Sequence, residues 1–177
     1  MPVPVITIIG KSGSGKTTLM EGLIPELSRR GYRIATIKHH SHAGFEVDQM
    51  GKDSWRHAQA GSMHVIIAAP DKIASYRPLQ AELTLDEIVL EVQEADLILV
   101  EGYRQAGYPS LEVFRSAVST ELIGTPEQRF AVVADTAMAI GVPCYALEDI
   151  PGISDLIEKR FLSKSKADRD GTGSEHA

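Results

Sequence analysis

A nearly unbroken apolar run, Val3 to Ile9, leads straight into Gly10-Lys11-Ser12-Gly13-Ser14-Gly15-Lys16-Thr17. Few sequence features restrict a fold more. A continuous β-branched run reads as a strand covered on both faces, the position of a central strand in a parallel sheet. From Lys16 onward, Leu19, Met20, Leu23, Ile24 and Leu27 recur at helical spacing, and Gly31 stands where such a helix would stop. Strand, glycine-rich loop and helix together open an α/β unit. Pro25 falls inside the helix and is expected to kink or shorten it.

The loop fits G-x-x-x-x-G-K-[ST] in the strand-to-helix setting that its mechanism requires. Gly10, Gly13 and Gly15 let the backbone curl so that successive N–H groups converge on a β-phosphate, and the helix N-terminus adds partial positive charge. The residues assigned to a nucleoside triphosphate are Gly10, Ser12, Gly13, Ser14, Gly15, Lys16, Thr17 and Thr18. Lys16 would bridge β- and γ-oxygens, and Thr17 would offer its hydroxyl to magnesium. Magnesium needs further hard oxygen donors. Glu101 closes the apolar run Leu97-Ile98-Leu99-Val100, where open α/β sheets present ligand-facing groups. It is assigned to the metal or to the attacking water, and with Lys16 it forms the catalytic pair. Asp48, in the loop after the second expected strand, is the other metal-side acid; read from the residues alone, both acids also fit a plain cap or loop role.

Further strands are expected at Arg33 to Lys38, Met63 to Ala69, Lys72 to Arg77, Leu111 to Arg115, Phe130 to Ala134 and Val142 to Ala146. Helices are expected at Asp53 to Ala60, after the capping box Thr84-Leu85-Asp86-Glu87, and at Ile153 to Phe161. The alternation predicts a three-layer P-loop NTPase fold, a mainly parallel twisted sheet flanked by helices. With 177 residues the chain has room for one domain, residues 1–162. Residues 163–177 carry almost nothing apolar and are expected to form a disordered tail.

A net charge of −6 argues against a broad basic face for nucleic acid. No apolar run approaches the roughly 20 residues of a membrane span, and the start lacks the basic region of a secretory signal. A cytoplasmic protein is expected. Cys144, the single cysteine, has no partner for an internal disulfide and is read as packing. His39, His40 and His42 invite a zinc or nickel reading, but adjacent histidines in an extended loop point apart, and contact with a bound anion is the alternative.

Four segments together resemble the MobB family of molybdopterin-guanine dinucleotide biosynthesis adapters. They are Ile8 to Leu19, the stretch Ile37-Lys38-His39-His40 with His42 and Asp48, the segment Gly51-Lys52-Asp53-Ser54-Trp55-Arg56-His57-Ala58-Gln59-Ala60-Gly61, and Leu99-Val100-Glu101-Gly102-Tyr103. The likeness runs from about Val3 to Phe161. It implies a GTP-binding homodimer with magnesium, weak hydrolysis and a MobA-type guanylyltransferase as partner in attaching GMP to molybdopterin. In the wider group that includes dethiobiotin synthetase, metal is held by the loop threonine and by acids after the second and a later strand; Thr17, Asp48 and Glu101 fit those places. Guanine itself is not read by any well-placed Asn/Thr-Lys-x-Asp motif. Ser165-Lys166-Ala167-Asp168 has no strand before it and reads as coincidence, whereas Asp135, directly after Phe130 to Ala134, is the better acceptor for guanine N–H groups. Two rivals remain at this point: a small-molecule kinase, with Arg77 and Arg104 as candidate clamps, and a nickel-delivery GTPase resting on the histidines.

Overall fold

A computed structural model describes residues 2–40 and 44–162. His42, the expected tail and Ser165 to Asp168 lie outside them. The chain divides into two compact units, one built from residues up to His39 and from Leu85 onward, the other from His40 to Thr84.

The first unit is built on a six-stranded sheet of β1 (Val5–Ile9), β2 (Ile34–Lys38), β5 (Leu97–Glu101), β6 (Ser110–Phe114), β7 (Arg129–Ala134) and β8 (Cys144–Ala146). The spatial order is β2-β5-β1-β6-β7-β8, and every pair is parallel. Alternate residues of each strand face opposite sides, so both sides need cover. On one side Ile6, Ile8, Leu97, Leu99, Leu111 and Val113 pack with α1 (Lys16–Arg29) and α4 (Ile150–Ile157). On the other, Val5, Ile98 and Val100 pack with Leu85 of α3 (Leu85–Val89), and Phe114 and Val132 with Leu122 and Met138. Helices on both faces of a parallel sheet make three layers, as the alternation predicts.

Helix α1 runs through Pro25 without being cut short, contrary to one arm of the expectation. Proline removes the hydrogen bond to the carbonyl of Glu21, but both residues lie on the exposed face, where water can take that carbonyl. Leu19, Met20, Leu23 and Leu27 hold the opposite face in the core. The helix ends as Gly31 suggests: Gly31 has φ +93°, its N–H donates to Ser28 at 2.9 Å, and the N–H of Tyr32 donates to Leu27 at 3.2 Å. Buried Tyr32 packs in the same cluster as Leu27 and completes the Schellman stop. Arg30 then ties α1 to α4 through Asp155 at 2.6 Å and Glu158 at 3.0 Å. Beyond α4 a π-helical turn follows, Glu158–Leu162.

The second unit contains α2 (Asp53–Gln59) and the strands β3 (Val65–Ala69) and β4 (Lys72–Tyr76). Among the described residues these strands pair only with each other, antiparallel, in a sheet of their own. Only Pro70 and Asp71 connect them, far too short for the crossover that a parallel pair demands. Among the described residues Ile66 and Ile73 of this hairpin stay 57% and 71% exposed, on one apolar face. No described helix is long and apolar enough to cross a membrane.

Candidate nucleotide site

Because the six strands run in one direction, their carboxyl ends share one edge, where open α/β sheets bind ligands. In spatial order that edge carries Lys38 at the end of β2, Glu101 at the end of β5, Gly10 after β1, Arg115 after β6 and Asp135 after β7.

The glycine-rich loop connects β1 to α1. Gly10, Gly13 and Gly15 have φ of +148°, +78° and +101°, a region that side chains rarely adopt. Gly10 has a second constraint, since a Cβ there would collide with the carbonyl of Val113 and stand 2.7 Å from Ser14 Oγ. Ser14 is buried, and its N–H closes a turn onto the Lys11 carbonyl at 3.2 Å. Lys16 Nζ donates to the carbonyls of Gly10 and Lys11, both at 3.0 Å, so the ammonium lies over the loop. Desolvation lowers the Lys16 pKa, Glu101 opposes that shift and Lys38 reinforces it. Ser12 lies in the loop and Thr18 in the first turn of α1.

Thr17 Oγ1 donates to Glu101 Oε2 at 3.2 Å, joining residues 84 positions apart. Strand register explains the meeting. Glu101 pairs with Ile8 of β1 on one side and with Lys38 of β2 on the other, so its carboxylate lies between the loop and Lys38. Lys38 Nζ stands 3.4 Å from Glu101 Oε1. Two neighbouring ligands of an octahedral magnesium, each about 2.1 Å from the ion, stand about 3.0 Å apart. The oxygens of Thr17 and Glu101 therefore fit a magnesium ion in spacing and chemistry. Beyond Glu101, Gly102 has φ +102° and a Cβ there would press on His39 Cβ at 2.9 Å. That close approach lets Tyr103 stack on His39, with ring centroids 4.3 Å apart.

Asp48 belongs to the other unit. Its carboxylate accepts from Tyr76 Oη and from the N–H of Gln49, each at 2.7 Å, and the Tyr76 hydrogen bond leads in holding its pKa below the usual carboxylate value. The structure thus brings Thr17 and Glu101 together and gives Asp48 partners within its own unit. His40 lies beside Phe45, with ring centroids 5.7 Å apart. Among the described residues no three histidine, cysteine, aspartate or glutamate side chains cluster as metal ligands. Arg104, weighed as a phosphoryl clamp, donates to the Ile123 carbonyl at 3.5 Å.

Asp135 sits past β7 with its carboxylate oriented by Ser116, which donates its N–H at 2.9 Å and its hydroxyl at 2.9 Å. The backbone donor is the largest cause of its lowered pKa. Two features of this side lie outside the sequence motifs. Arg115 Nη2 lies 3.5 Å from where a Cβ on Gly15 would stand, against the loop. Buried Glu112 of β6 accepts from Arg129 Nε at 2.7 Å and from the N–H groups of Ile123 and Gly124, which fixes the segment after β6. Applying the strand-end rule to β6 as well as β5 finds Arg115. The buried carboxylate carries no local signal, because its partner lies 17 residues away.

The family described as Molybdopterin guanine dinucleotide synthesis protein B matches residues 5–135, most of the chain and both halves of the edge just described. The chain belongs to the MobB family. A Haemophilus influenzae relative named molybdopterin-guanine dinucleotide biosynthesis adapter protein is 39% identical over 158 residues, 88% of each chain. An Escherichia coli relative with the same name is 32% identical, the match covering 88% of this chain and 91% of that one. A crystal structure of molybdopterin-guanine biosynthesis protein B is 28% identical, with a TM-score of 0.67 over 88% of this chain and 98% of that one. The parallel sheet and flanking helices are therefore the MobB version of the P-loop NTPase-like fold.

Proposed function

We propose that this MobB-family chain is an adapter in molybdopterin-guanine dinucleotide biosynthesis, binds GTP with magnesium at the glycine-rich loop, and supports a MobA-type guanylyltransferase in attaching GMP to molybdopterin. The observation that carries the nucleotide reading is the Thr17–Glu101 oxygen pair, 3.2 Å apart, beside a lysine already folded over the loop. Lys16 holds two loop carbonyls, and triphosphate oxygens would replace them as acceptors. Thr17 and Glu101 would hold magnesium, which supplies charge neutralisation at the β- and γ-phosphates. Asp135, with Ser116 orienting it, retains lone pairs for guanine N–H donors.

Hydrolysis is slow on this reading. Glu101 is committed to Thr17 and Lys38, which suits it to holding charge more than to activating water. The guanine preference and the partner rest on family membership. A homodimer is part of the same reading: the open apolar hairpin face at Ile66 and Ile73 supports it. The test is reconstitution. Purified guanylyltransferase, GTP and molybdopterin should yield more dinucleotide when this chain is added, and the gain should vanish with Lys16→Ala. Equal yields with and without the chain would remove the adapter role.

A further inference from the structure

We propose that Arg115 is a second cationic arm of the nucleotide site and grips the α- and β-phosphates on the side of the loop away from Glu101. The inference rests on the nucleotide reading above and names a residue that the loop motif does not include.

Arg115 is the residue immediately past β6, and its Nη2 lies 3.5 Å from the position a Cβ on Gly15 would occupy. Gly15 is the N-cap of α1, the positive pole of that helix. A cation at this pole is repelled by the helix dipole, and Lys16 is already over the same loop. Among the described residues the Arg115 side chain makes no hydrogen bond or ion pair. Asp135 acts on it only through longer-range attraction, its carboxylate being bonded to Ser116. A guanidinium held at this pole with no hydrogen-bonded partner gains once an anion lies beside it.

The backbone that carries Arg115 is also fixed. Its carbonyl accepts from the N–H groups of Val118 and Ser119 at 2.9 and 3.0 Å, and the following residue is bonded to Asp135. A guanidinium fork matches phosphate oxygens better than a lysine point charge. The order of strand ends then assigns the phosphates. Glu101 and Lys38 lie on the β5 side of the loop, and Arg115 and Asp135 on the β6 and β7 side. With magnesium and the γ-phosphate at Glu101 and the base at Asp135, Arg115 meets the phosphates between them.

Equilibrium binding of GTP and GDP, both with magnesium, tests this on the wild type, Lys16→Ala, Arg115→Ala and Arg115→Lys. Arg115→Ala should weaken GTP and GDP alike by about ten- to a hundredfold, the scale of one charge-assisted bond, and Arg115→Lys should recover part of the loss. The melting temperature of ligand-free Arg115→Ala should stay close to that of the wild type, because the side chain makes no hydrogen bond or ion pair among the described residues. Unchanged affinities in Arg115→Ala, a loss for GTP with none for GDP, or a lowered ligand-free melting temperature would each overturn the assignment. Wild type that binds neither nucleotide, or Lys16→Ala that binds as well as wild type, would overturn the nucleotide reading beneath it.

Discussion

Replacing Glu112 by alanine should destabilise the protein by about 3–5 kcal/mol, the cost of breaking one side of a buried ion pair. The structure gives the reasons for that size. The Glu112 and Arg129 side chains are 2% and 9% exposed, so water cannot take over when the carboxylate is removed. Arg129 Nε loses an acceptor at 2.7 Å, keeping only its Nη2 bond to the Gly124 carbonyl at 2.6 Å. The N–H groups of Ile123 and Gly124 lose theirs at the same time. For a chain of this size each kcal/mol shifts the melting temperature by about 2–4 °C, so a fall of about 6–20 °C is expected. Urea unfolding followed by circular dichroism measures the free energy directly. Glu112→Leu combined with Arg129→Met should cost less than Glu112→Ala, since no charge is left buried without its partner. A loss within about 1 kcal/mol for Glu112→Ala would refute the reasoning, as would a double variant no more stable than the single one.

Glu101→Gln keeps the shape of the side chain and removes its charge, so magnesium-dependent GTP hydrolysis should fall more than GTP affinity. Equal hydrolysis rates, followed by phosphate release, would take Glu101 out of the site. In the second unit, Tyr76 donates to Asp48, and this bond leads in raising the Tyr76 pKa to about 12 and in lowering that of Asp48. The depressed Asp48 pKa contributes stability above its ordinary value of 3.8, and that contribution is lost as pH falls through the folded-state pKa. The raised Tyr76 pKa contributes stability below its ordinary value of 10.0, lost as pH rises through about 12. Tyr76→Phe should therefore bring the Asp48 titration, followed by carboxyl NMR, back toward its ordinary value; an unmoved titration would rule out the bond as its cause.

Legibility of the sequence depended on how local each signal was. Strands β1 and β5 are continuous apolar runs and could be read directly, as could the helix stop at Gly31, where a glycine meets a complete Schellman pattern. Pro25 misled in part because its cost depends on which face of α1 it occupies, and its face is solvent. The segments at β3 and β4 were visible as strands, and the two-residue turn between them makes them antiparallel, but nothing local shows that they pair with no strand of the parallel sheet. At the edge, Glu101 was readable because it ends a β5 run whose register then sets it beside Thr17. Arg115 was within reach of the same strand-end rule applied to β6, whereas the Glu112–Arg129 pair was not, because its partners come from another strand and a loop. Asp48 was legible as an acid in a loop, while its tie to Tyr76 depends on the hairpin.

The most direct measurement is titration calorimetry of GTP and ATP, each with magnesium, into the wild type and into Lys16→Ala. Wild type should bind GTP in preference to ATP, binding should weaken when magnesium is chelated, and Lys16→Ala should lose most GTP affinity while retaining its far-UV circular dichroism. Wild-type affinity surviving intact in a folded Lys16→Ala would contradict the loop assignment. A preference for ATP would contradict the GTP-dependent role.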